Sequence, residues 1–152
     1  MDEKPWKPLI LNEKRILFRF RVGKDLSYQF QWTDLKNIYE EKLTTEEIVS
    51  RWSLLNKAVE TELDGQIEAI EFGLRTPSCV QEKDGTVEIE FIDAELEVPL
   101  KWIFKCQRLE SDSFSTQIVL PILMVMNYEK DVNVSNFKLL RRHFVLSYLV
   151  LN

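Results

Sequence analysis

The stretch Val98–Met126, VPLKWIFKCQRLESDSFSTQIVLPILMVM, decides how this chain is read. Its first ten residues alternate, with Leu100, Trp102, Phe104 and Cys106 on one side and Lys101, Lys105 and Gln107 on the other. That pattern predicts a strand with one dry face. Ser111-Asp112-Ser113 then supplies residues suited to capping a helix start. Phe114, Ile118 and Met124–Met126 follow at helical spacing, while Val119, Leu120, Ile122 and Leu123 fill the remaining sides. A helix apolar nearly all round is buried on several sides. Pro121 removes a backbone donor and kinks it. Two readings fit such a segment: a dimerisation or docking helix, or a core helix of a monomer. The run Ile118–Met126 is far shorter than the ~20 residues that span a bilayer.

Working outward, residues 15–22 (RILFRFRV) and 28–32 (YQFQW) alternate in the same way and flank a Gly23-Lys24-Asp25 turn. They read as a hairpin, with an earlier strand at Leu9–Leu11. Thr33-Asp34 is expected to start a helix carrying Leu35, Ile38 and Tyr39. Thr44-x-x-Glu47 is a capping box opening a second helix, whose apolar stripe is Ile48, Trp52, Leu55 and Val59. Leu63, Ile67, Ile70 and Leu74 continue the helical pattern, with Gly65 marking a bend or a gap. Thr76-Pro77-Ser78 ends the helical section, and Lys83-Asp84-Gly85 forms a turn. Residues 86–92 (TVEIEFI) are another one-faced strand. The order of strands, helical insert, strands and final helix gives an α+β class with an antiparallel sheet or sandwich.

The 152 residues suffice for one domain with a real core. A formal net charge of −5 argues against a domain built mainly to grip phosphates. Cys79 and Cys106 lie far apart and His143 is the single histidine, so a zinc site lacks ligands. The expectation is two reduced thiols in an intracellular protein. The opening MDEKPWKPLILNEKR has too short an apolar core for a secretion signal, so Asn133-Val134-Ser135 reads as a chance glycosylation match. There is no GxSxG, glycine-rich phosphate loop or HExxH. Glu88, Glu90, Asp93, Glu95 and Glu97 read as a solvated strand face and loop, and Lys138, Arg141, Arg142 and His143 as a solvated basic helix face. Trp32, Trp52 and Trp102 fall on dry faces and read as core.

The chain resembles the XLF (Cernunnos) family of end-joining factors. The resemblance centres on Val98-Pro99-Leu100-Lys101-Trp102-Ile103-Phe104-Lys105-Cys106 and runs into Leu120-Pro121-Ile122-Leu123. Upstream, Pro5-Trp6 before Leu9 and Leu11, Asp34-Leu35 with Tyr39, and Arg51 with Leu55-Asn56-Lys57 follow in the family's order. It covers about residues 5–126.

The resemblance implies a seven-stranded antiparallel β-sandwich head with a helix-turn-helix insert, followed by a short coiled-coil stalk helix. The head would span 1–110 with the insert at about 33–74, and 111–152 would hold the stalk root and a divergent or truncated C-terminus. It also implies a nuclear, non-enzymatic homodimer without cofactor or metal and with no membrane role. Its heads would bind the head of the ligase IV scaffold protein, and through it the DNA ligase IV complex. Ku and DNA ends would be further partners, weakly held or lost if the family's basic tail is absent. The family's partner-wedging leucine is replaced here by Val98, one methylene smaller, a change of about 0.8 kcal/mol in burial. Lys57 and Arg51 keep family basic positions, Ala58 replaces a basic residue, and Val59 holds the apolar one. Phe114, Ile118, Pro121, Ile122 and Val125 would form the dimer contact of the stalk root. Other members of the same superfamily share this design, such as an end-joining paralogue or a centriolar assembly protein. A small ligand-binding α+β domain is the contrasting class, favoured by a deep pocket with converging polar groups.

Overall fold

The computed structural model describes residues 4–110 and 115–119. They divide into two units, one of residues 4–34 with Tyr39–Arg108, the other of Leu35–Ile38 with the residues from Leu109 onward.

In the first unit, strands β1 (Lys7–Leu11), β2 (Lys14–Val22) and β3 (Tyr28–Thr33) run antiparallel. β4 (Ile38–Leu43) follows, and then the helices α1 (Thr45–Leu55) and α2 (Leu63–Arg75). β5 (Cys79–Lys83), β6 (Thr86–Ile92), β7 (Pro99–Lys105) and β8 (Gln107–Arg108) complete it. One sheet has the order β1-β2-β3-β4-β8 and the other β5-β6-β7. Only Cys106 separates β7 from β8, so the chain leaves one sheet and joins the other across that single residue.

Two tight turns set register locally. Asn12 and Glu13 both have positive φ (47° and 65°) between β1 and β2. Asp84 and Gly85 do the same (53° and 85°) between β5 and β6. Positive φ at both central residues matches the right-handed twist of the flanking strands. The alternating apolar residues then meet between the sheets. Phe30 on β3 stacks on Phe104 of β7 with ring centroids 3.8 Å apart. Tyr28 meets Trp102 and Phe104 edge-on at 6.3 and 5.9 Å. Each such pair adds about 0.5–1.5 kcal/mol beyond the area it buries. Trp32, Trp52 and Trp102 are all buried, as their dry-face positions predicted.

The helices cover the second sheet. α1 starts with the capping box read from the sequence: Thr44 Oγ1 accepts the Glu47 N–H at 3.4 Å, and Glu47 Oε2 accepts the Thr44 N–H at 2.9 Å. α2 buries Gln66, Ile67, Ile70, Gly73 and Leu74. Gly65 lies inside its first turn, and the break between the helices is at 56–62 instead.

Two elements differ from the sequence reading. The helix expected from Thr33-Asp34 is absent: Tyr28–Thr33 is a strand, Leu35 has φ +71°, and Ile38–Leu43 forms β4. The Leu35/Ile38/Tyr39 spacing looked helical because β4 has no clean alternation; Ile38, Glu41 and Leu43 are its buried residues. β5 was not foreseen, although the Asp84-Gly85 turn is its signal. The described strands number eight, against seven expected, with β7 and β8 counted separately.

In the second unit, the Leu109 N–H donates to the Ile38 carbonyl at 2.8 Å. Ser115–Val119 forms one π-helical turn in which Ile118 is buried. The remainder of the expected final helix, with Phe114, Pro121, Ile122 and Val125, lies outside the described residues, as does the Lys138–His143 cluster.

Candidate docking surface

β7 is an edge strand of its sheet, and edge strands leave backbone groups unpaired. Here three side chains satisfy that edge. Asn56, at the C-terminus of α1, donates from Nδ2 to the Lys101 carbonyl and accepts the Lys101 N–H at Oδ1, both at 3.0 Å. Arg51 donates from one guanidinium nitrogen to the Ile103 carbonyl at 2.7 Å. Glu41 Oε2 accepts the Lys105 N–H at 2.9 Å. Lys101, Ile103 and Lys105 are alternate residues, so the three contacts follow the strand period.

Glu41 is the centre of this arrangement. Its carboxylate takes Arg51 at 2.8 Å on both oxygens, and Oε1 also accepts the Tyr28 hydroxyl at 2.7 Å. The Trp102 indole N–H donates to the Tyr28 oxygen at 3.2 Å, and the Arg51 guanidinium lies 5.6 Å from the Trp102 ring centroid. Burial first, and then the Glu41 charge, raise the Tyr28 hydroxyl far above the usual phenol range, so it stays protonated and donates. A buried carboxylate with this many donors is fully satisfied. The cluster ties α1, β3, β4 and β7 into one unit, and Arg51 spends its charge inside it.

The same tie positions the surface residues singled out in the sequence. Asn56 anchors the loop between α1 and α2, so Lys57 and Ala58 are exposed directly beside the start of β7. Val59 is half-buried against the core, and its carbonyl accepts the Trp52 indole N–H at 2.9 Å. Val98 immediately precedes β7, is half-buried against the core, and accepts the Asp93 N–H at 2.9 Å through its carbonyl. Asp93 Oδ1 in turn accepts the Glu95 and Leu96 N–H groups at 2.9 and 2.6 Å. Lys57, Ala58, Val59 and Val98 thus sit on two short, internally bonded loops at the Lys101 end of β7, whereas Arg51 points into the Glu41 cluster. Asn56 and Glu41 were missed as organising residues. A lone buried polar side chain carries no periodic signal, and its role depends on a strand edge 45 or more residues away.

The surrounding acidic residues are mixed in character. Glu88 holds Lys101 at 2.5 Å, and that hydrogen bond raises the lysine's pKa. Glu90, Glu95 and Glu97 are exposed. Among the described residues, no three His, Cys, Asp or Glu side chains are grouped to hold a metal, and no helix is long and apolar enough to cross a membrane. Cys79 and Cys106 are free thiols, and burial pushes the Cys106 thiol well above its usual range.

The first unit thus combines antiparallel sheets of five and three strands with a two-helix insert. The sequence profile of the XLF N-terminal domain matches residues 5–108. The chain therefore belongs to the XLF family, a non-enzymatic family of DNA repair by non-homologous end joining. No curated protein sequence matches it.

Proposed function

We propose that this chain is a non-catalytic scaffold of non-homologous end joining. It acts as a nuclear homodimer whose head binds the head of the ligase IV scaffold protein. Through that contact it bridges broken DNA ends and supports sealing by DNA ligase IV, with Ku as a further partner. The observation that carries this reading is the family match across the whole of the described head. In this reading the two sheets are the family's seven-stranded sandwich, with β7 and β8 one strand bent at Cys106. Ile118, with Phe114, Pro121, Ile122 and Val125, belongs to the root of a stalk that pairs with a second chain.

The docking contact is assigned to Val98, Lys57, Ala58 and Val59. Support comes from their common position: exposed or half-buried, on loops braced by Asn56 and Asp93, so that little conformational freedom is lost on binding. Arg51 contributes by holding α1 on β7. Calorimetric titration against the partner head tests the reading, with Val98→Asp as the control. Saturable binding that the substitution abolishes supports it. Absence of binding by the folded chain refutes head-to-head docking.

A further inference from the structure

A groove of about 450 Å³ lies between α2, the loop after α1 and the loop between β6 and β7. Its floor is apolar, built from Trp52, Val59, Ala69, Phe72 and Leu100. Ile67, Ile70 and Leu74 pack on the sheet, while Gly65, Ala69 and Phe72 turn toward the groove. Ala69 and Phe72 are half-buried against the core, so the groove floor is the outer edge of that core, left open between the two loops.

The rim is acidic. Among its lining residues five carboxylates, Glu60, Glu68, Glu71, Asp93 and Glu95, stand against one cation, Arg75. Glu71 is paired with Lys4 at 2.9 Å, and Asp93 is occupied with its own loop. Glu60, Glu68 and Glu95 are exposed and have no cation partner among the described residues. Beside them Leu96 is 59% exposed. Three uncompensated carboxylates around an apolar floor select against acidic and purely polar occupants.

We propose that this groove is a second docking site, for a partner protein's segment in which one bulky apolar side chain is flanked by lysine or arginine. The apolar side chain enters over Ala69 and Phe72, and the flanking cations meet Glu60, Glu68 and Glu95. Val59 lines the groove and also belongs to the head-docking surface; Val98 does not line it. The two sites can therefore be separated by substitution.

The test is fluorescence anisotropy with a labelled synthetic peptide, Gly-Lys-Lys-Leu-Lys-Lys-Gly, added to the full chain. A saturable rise is expected. Glu68→Lys and Ala69→Trp, one reversing the rim charge and one filling the floor, each weaken it by about tenfold or more. Glu46→Lys, an exposed charge reversal outside the groove, changes it by less than about twofold. A peptide with serine in place of leucine binds at least about tenfold more weakly. Val98→Asp leaves peptide binding intact, so failure of head docking and failure of this site are distinguishable. No saturation up to about 1 mM peptide overturns the proposal. So does equal binding of the serine peptide, or equal weakening by Glu46→Lys, since either means non-specific attraction to an acidic protein. Thermal melts of each variant check that the substituted chain is folded.

Discussion

Replacing Arg51 by alanine tests whether this residue is a structural brace. The guanidinium makes three contacts through one nitrogen, to both Glu41 oxygens at 2.8 Å and to the Ile103 carbonyl at 2.7 Å. The Glu41 side chain is only 5% exposed and that of Arg51 18%. Alanine leaves the carboxylate with the Tyr28 hydroxyl and the Lys105 N–H, and leaves the Ile103 carbonyl on an open strand edge. Removing one partner of a buried pair costs about 3–5 kcal/mol, because the remaining charge stays buried without compensation. The partial exposure of Arg51 places the expected loss near the lower end, about 3 kcal/mol, or roughly 6–12 °C in melting temperature for a chain of this size. A solvent-exposed pair would lose no more than about 1 kcal/mol. The assay is urea unfolding followed by tryptophan emission, since Trp102 lies beside the guanidinium. The double variant Glu41→Gln, Arg51→Met removes both charges and is expected to recover at least about 1 kcal/mol over the single variant. A loss below about 1 kcal/mol for Arg51→Ala, or no recovery in the double variant, refutes the buried-brace argument. The same experiment guards against misreading a binding defect. If the proposed head docking holds, Arg51→Ala is expected to weaken it by loosening α1 on β7, without any direct contact.

Gly73→Ala places a Cβ within 2.4 Å of the Phe91 ring, which is 1% exposed and packed in the core. The ring has nowhere to yield, so overpacking is expected to destabilise the chain by about 1–3 kcal/mol in urea unfolding, despite alanine's better helix propensity. Acid sensitivity has an identifiable contributor in Glu47. Its carboxylate accepts the Thr44 backbone N–H and then the Thr44 hydroxyl, which holds its pKa below the ordinary value of 4.5. A depressed folded pKa gives stability that is present above the unfolded value and lost as pH falls through the folded one. Glu47→Gln is therefore expected to flatten the fall in urea midpoint below about pH 4.5, and an unchanged acid limb would contradict that assignment.

Local periodicity determined most of the architecture of this chain. The alternation in residues 15–22, 28–32 and 86–92 announced strands, and each is one; that in 98–107 announced β7, but the break at Cys106 and the passage of β8 to the other sheet were not legible in it. Thr44-x-x-Glu47 announced the start of α1, and the Leu63–Leu74 spacing announced α2. These signals are legible because burying one face imposes a period of two or 3.6 on the residues themselves. The ordered set around Val98–Cys106 likewise carried the family assignment, which the profile match over 5–108 bears out. Tertiary structure decided the rest. β4 buries the charged Glu41, so its residues carry no apolar period, and only its neighbours β3 and β8 make it a strand. The roles of Asn56, Arg51 and Glu41 arise from one strand edge that needs partners, and none of the three contacts is local in sequence. The acidic groove joins residues from Trp52 to Leu100 that no linear pattern connects. Periodic burial is written into neighbouring residues, whereas satisfaction of an edge or the rim of a groove exists only once distant segments have been brought together.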